Sequence, residues 1–98
     1  PLQALITLND TTFLEAAGAL SKKMRSLEHG FRLVLIRSPL RKELVRLQAL
    51  YSTMEKHYEN NVKAAENLLK SAGLSEGNAA MVTVANVLLN LDETLTKP

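Results

Sequence analysis

Residues 79–95, AAMVTVANVLLNLDETL, decide the fold. They form the most apolar helical run in the chain, and the polar residues within it are not scattered. At about 100° per residue, Thr83, Asn86 and Asn90 fall on one narrow stripe, while Met81, Val82, Val84, Ala85, Val87, Leu88, Leu89 and Leu91 cover most of the remaining circumference. A helix apolar nearly all round belongs in the middle of a bundle.

The rest of the chain is large enough to surround it. Its 98 residues make one domain, and a chain of this size buries roughly 60–70% of the surface its unfolded form exposes. The absence of cysteine excludes disulfides, thiolate metal sites, covalent haem attachment and cysteine nucleophiles. Lys and Arg number 12 against 10 Asp and Glu, so the net charge of +2 does not argue for nucleic acid or an anionic membrane, although the pI is near 9.2. No apolar run reaches the ~18 residues a membrane span needs, and PLQALITLND has no charged leader followed by an apolar core. The chain begins at Pro1 without Met and reads as a segment of something longer.

Working outward from the apolar run, Leu2–Leu8 reads as a short helix closed by Asn9 and Asp10. Asp10 is the expected N-cap of a second helix, with a Thr12–Glu15 capping box one register later. Phe13, Ala17, Leu20, Met24 and Leu27 draw its apolar face, and Ser21, Lys22, Lys23 and Arg25 its exposed side. A third helix over Leu27–Arg37 contains Gly30, which either permits a close helix crossing or marks a junction. Ser38 and Pro39 then read as N-cap and first residue of a long helix reaching Glu59, with Leu40, Leu44, Leu47, Tyr51, Met54 and Tyr58 as its seam. Val62, Ala65, Leu69 and Ala72 outline a fifth helix, and Gly73-Leu74 fits a left-handed C-cap with its hydrophobic contact. Exposed pairs are expected at Glu28–Arg32, Glu59–Lys63 and Glu66–Lys70. The fold expected is all-α, an irregular or orthogonal bundle of five to six helices with the last long helix central.

Four stretches carry a family resemblance. PLQALITLNDTTFLEAAGAL (1–20), FRLVLIRSP (31–39), ELVRL (43–47) and VANVLLNLDETLTK (84–97) resemble the C-terminal domain of unknown function of planctomycete-type cytochrome-associated exported proteins. Thr11 stands where that family usually has Pro, Leu40 where it has Thr, and residues 60–78 carry no matching motif. The resemblance implies an extracytoplasmic location and a multidomain parent. It implies no cofactor in this segment; haem would belong to an upstream domain.

Candidate chemistry is sparse. His29 and His57 lie on different expected helices, with no HxxxH, HxxE or ExxH spacing, so surface or boundary histidines are the default over metal or haem ligands. Asp92 and Glu93 are adjacent and point about 100° apart on a helix, so they cannot form a facing carboxylate pair alone. With Asp10 or Glu15 they could contribute to a shared active site. The simpler reading is a structural ion pair in which Asp92 or Glu93 meets Arg32 or Arg37. Gln3, Asn9 and Asp10 read as side chains satisfying helix ends. Thr83, Asn86 and Asn90 either line a groove or partner interface, uncharged as interface centres are, or form the wet side of a central helix. Arg32, Arg37, Arg41, Lys42 and Arg46 cluster at the Ser38-Pro39 corner, but Glu43 counters Lys42 and Arg46 and the following helix outruns a recognition helix, so nucleic acid is not expected. The leading reading is a non-catalytic interaction module that packs against an upstream domain or another protein, with contribution of acids to a shared active site as the alternative.

Overall fold

Residues 11–91 are described in the structure, a computed structural model, and they fold into five helices. These are α1 (Thr11–Lys23), α2 (Leu27–Leu35), α3 (Arg41–Glu59), α4 (Val62–Ser71) and α5 (Ala79–Leu91). The expected helix over Leu2–Leu8 and the corner residues Gln3, Asn9 and Asp10 lie outside the described residues, as do Asp92 and Glu93.

Helix α5 packs against all four other helices, most extensively α1 and α3. Its central place follows from its composition, because only an enclosed position removes Val82, Val84, Ala85 and Leu88 from water together. Enclosure also corrects one reading of the polar stripe. Thr83 and Asn86 are 0% exposed, so the stripe is not a wet face there; only its last member, Asn90, is half-buried. Around α5 the core takes Leu14, Ala17 and Met24 from the α1 side, Phe31 from α2, Leu47 from α3 and Ala72 beyond α4. Leu14 was absent from the expected α1 face, and it enters because the buried stripe of that helix runs through Leu14, Ala17 and Gly18.

Two glycines set how closely helices approach. A Cβ on Gly18 would lie 2.8 Å from the Ala72 carbonyl oxygen and 3.1 Å from its Cβ, so this position lets α1 meet the end of α4 at backbone distance. Gly30 packs against the α1–α2 junction: a Cβ there would lie 2.8 Å from Sδ of Met24, just past α1. The buried ground under Met24 outweighs the roughly 1 kcal/mol that glycine costs inside a helix.

Local end signals behave according to their hydrogen bonds. Helix α4 stops as Gly73 turns left-handed (φ 78°), with Gly73 N–H donating to the Lys70 carbonyl and Leu74 N–H to that of Leu69 at 2.8 Å. That is the two-bond Schellman arrangement, closed by Leu69 and Leu74, which both pack on the core. Ser26 caps α2 by accepting from His29 N–H, while His29 Nδ1 accepts from Arg25 N–H, both at 3.0 Å. Asn78 opens α5 by accepting from Met81 N–H and donates to the Tyr51 hydroxyl at 2.8 Å.

The α2–α3 corner departs from expectation. Helix α2 ends at Leu35 rather than Arg37, because Ile36 turns left-handed (φ 56°, ψ 36°) while its N–H still bonds the Arg32 carbonyl. Helix α3 begins at Arg41 with Leu40 as N-cap, two residues later than the Ser38-Pro39 signal. Leu40 has no side-chain acceptor, so Glu43 supplies the cap alone by accepting Leu40 N–H at 2.8 Å. Leu40 is thereby excluded from the seam, whereas Leu44, Leu47, Tyr51, Met54 and Tyr58 all lie buried or half-buried.

A β-branched residue in the left-handed region costs about 1–2 kcal/mol, and the 81%-exposed Ile36 side chain recovers little by burial. Ile36→Gly is therefore expected to raise stability by about 1 kcal/mol, measured by urea unfolding. A midpoint that falls would show the exposed isoleucine to have a packing partner.

Candidate functional site

The charged cluster expected at the arginine corner is organised by Arg37. Its guanidinium meets Glu43 in a two-pronged bond, Nη1 to Oε1 and Nη2 to Oε2, each 3.0 Å. Nη1 also donates to the Ser38 carbonyl at 3.3 Å, and the guanidinium carbon sits 5.0 Å from the centre of the Phe31 ring. Arg37 thus links the buried ring of α2 to the first turn of α3, combining a bidentate pair with a cation–π contact. Among the described residues this is the one ion pair. The pairs expected at Glu28–Arg32, Glu59–Lys63 and Glu66–Lys70 do not close, in keeping with the few tenths of a kcal/mol that an exposed pair gains against side-chain entropy.

The Arg37 hydrogen bond, then that from Leu40 N–H, holds the Glu43 carboxyl down from 4.5 to about 2. A carboxylate whose folded pKa is depressed contributes stability that is fully present above its unfolded value and is lost as pH falls through the folded value. Glu43→Gln is therefore expected to unfold at lower urea than the parent at pH 7. The gap should close between pH 4.5 and about 2. A gap independent of pH would mean that charge is not what Glu43 contributes.

Glu43 makes its ion pair with Arg37 rather than with Lys42 or Arg46, although the Lys42 charge also helps to hold its carboxyl down. Among the described residues no carboxylate pairs with Arg41, Lys42 or Arg46. These three side chains and two large apolar ones, Leu40 (55% exposed) and Val45 (53%), line a shallow, open depression of about 610 Å³. Lys42, Val45 and Arg46 stand at i, i+3 and i+4 and so share the outward face of α3, and Arg41 lies one turn before Val45. Leu33 and Ile36 are also exposed on the preceding segment.

The other candidates fall elsewhere. Within the stripe, Thr83 Oγ1 donates to the Ala79 carbonyl at 3.0 Å and lies 3.3 Å from the Tyr58 hydroxyl, tying α5 to α3. Asn90 is half-buried and donates through Nδ2 to the Asn86 carbonyl at 2.8 Å. The Asn86 amide is different: neither its oxygen nor its nitrogen has a hydrogen-bond partner among the described residues. Arg32 is exposed on α2. The expected partners of the arginines, Asp92 and Glu93, lie outside the described residues, and so does the carboxylate group that would combine them with Asp10.

His29 serves the α2 cap, and His57 stacks edge-on against Tyr58 with ring centroids 5.0 Å apart. Among the described residues no three His, Cys, Asp or Glu side chains gather as metal ligands, and no helix is long and apolar enough to cross a membrane. Sequence reasoning missed the exposed Leu40–Val45 pair: heptad spacing assigns Leu40 to the seam, but Leu40 stands at the N-cap, and Val45 lies off the Leu44–Leu47–Tyr51 seam. No family model, curated protein or solved structure matches the chain.

Proposed function

We propose that this chain is a non-catalytic docking module, the C-terminal part of a larger exported, cytochrome-linked protein, held against an upstream domain or another protein. Export and the cytochrome link rest on the family resemblance of residues 1–20, 31–39, 43–47 and 84–97. The observation that carries docking is the pair Leu40 and Val45, which line one depression open to solvent while Val82, Val84 and Ala85 of α5 are wholly enclosed. Exposed apolar groups that gather on one surface mark interaction sites. Ser26, His29, Glu43 and Asn78 are engaged in capping and clamping.

Co-expression of the chain with the upstream part of its parent tests the reading. Co-purification at micromolar concentration is expected, and separate elution of two folded parts would refute stable docking. Export is tested separately, by fractionating cells that produce the full-length parent.

A further inference from the structure

We infer that the outward face formed by Leu40, Arg41, Lys42, Val45 and Arg46 receives an acidic amphipathic segment of a partner protein, an inference that rests on the docking reading above. Two observations converge on this occupant. The first is the pairing of exposed Leu40 and Val45 inside one shallow depression, which offers apolar contact to two or three side chains and no more. The second is charge: three cations, Arg41, Lys42 and Arg46, surround that contact, and among the described residues none of them closes an ion pair, while Glu43 is bound at both oxygens by Arg37. Arg41 and Lys42 also occupy the first turn of α3, where the helix dipole is positive and cations are disfavoured. An incoming carboxylate relieves that repulsion while a neighbouring apolar side chain covers Val45.

The same features weigh against other occupants. A second copy joined by a two-fold axis across this face would set three cations against three cations. A bilayer favours a continuous apolar stripe, but beyond Val45 the exposed face of α3 passes to Gln48, Ala49, Ser52, Thr53 and Lys56, polar but for one small alanine. Duplex nucleic acid would leave Leu40 and Val45 against phosphate. A helical segment with Leu or Ile on one side and Glu or Asp along its flanks satisfies both parts of the surface, in the manner of an amphipathic helix laid in a groove.

The experiment titrates the isotope-labelled full chain with a synthetic helical peptide of about four turns that carries Leu on one face and Glu on its flanks. A peptide with the same Leu residues and Lys flanks, a DNA duplex, and phosphatidylcholine vesicles with about 30 mol% phosphatidylserine serve as the other arms. The Glu peptide is expected to shift the amides of residues 40–46. Arg41→Glu/Lys42→Glu/Arg46→Glu should weaken it about tenfold or more, and added salt should weaken it as well. Val45→Ser should also weaken binding while leaving its salt dependence, which separates the apolar part from the ionic part.

Equal affinity for the Lys-flanked peptide, shifts centred away from residues 40–46, or binding to vesicles or duplex in preference to the Glu peptide would overturn the assignment. Co-purification of the charge-reversed chain with the upstream part, undiminished, would leave docking in place and overturn this surface as its site. Unchanged circular dichroism and unfolding midpoints in the variants establish that lost binding is not lost fold.

Discussion

Phe31→Ala is expected to lower the unfolding free energy by about 3–5 kcal/mol, the range for removing a buried aromatic ring. The ring is 1% exposed and is among the largest wholly enclosed side chains. It fills the space between α2 and the central helix, and its outer face carries the Arg37 guanidinium at 5.0 Å. Its loss therefore opens a cavity in the core and removes the platform on which the α2–α3 clamp rests. A domain of this size holds roughly 5–10 kcal/mol in total, so the substitution takes a large share of it. Each kcal/mol lost lowers the thermal midpoint by about 4–8 °C. Phe31→Leu should recover much of the loss by refilling the volume, though without the cation–π contact. A fall of under 1 kcal/mol for Phe31→Ala, in urea unfolding followed by circular dichroism, would place the ring outside the core.

Asn86→Leu is expected to act in the opposite direction, raising stability by about 1–3 kcal/mol. The amide is 0% exposed and neither of its polar atoms has a partner among the described residues, so folding takes it from water without replacing its hydrogen bonds. That desolvation costs about 1–3 kcal/mol for an unsatisfied polar group. Leucine keeps the branched outline of the side chain and removes the penalty, offset in part by its larger volume. The Asn86 backbone carbonyl still accepts from Asn90, so the helix bond is unaffected. Asn86→Ala separates the two contributions, because it removes the polar atoms but leaves a gap. If Asn86→Leu instead lowers the thermal midpoint, the amide is paired in the folded protein.

Several features were legible from neighbouring residues. The Gly73-Leu74 cap was readable because its geometry is set within six residues: a left-handed glycine and two backbone bonds to Lys70 and Leu69. The seam of α3 from Leu44 to Tyr58 was readable because helical periodicity puts those side chains on one side wherever the helix is placed. The same periodicity located the Thr83–Asn86–Asn90 stripe but could not say what faced it. The start of α3 was misread for a related reason. Ser38-Pro39 is a sound local signal, yet a left-handed Ile36 and the Glu43 bonds to Leu40 and Arg37 move the helix start to Arg41.

By itself, then, the sequence determined an all-helical chain and a central last helix, because apolar spacing and helix-end chemistry are encoded in residues three or four apart. Only the tertiary structure decided that Thr83 and Asn86 face inward, that Glu43 belongs to Arg37, and that Arg41, Lys42 and Arg46 are left around an exposed Val45. Those outcomes depend on which helices close around α5 and on how α2 turns into α3. Periodicity specifies the side of a helix on which a residue lies, and packing between distant segments specifies whether that side meets water, a carboxylate or another helix.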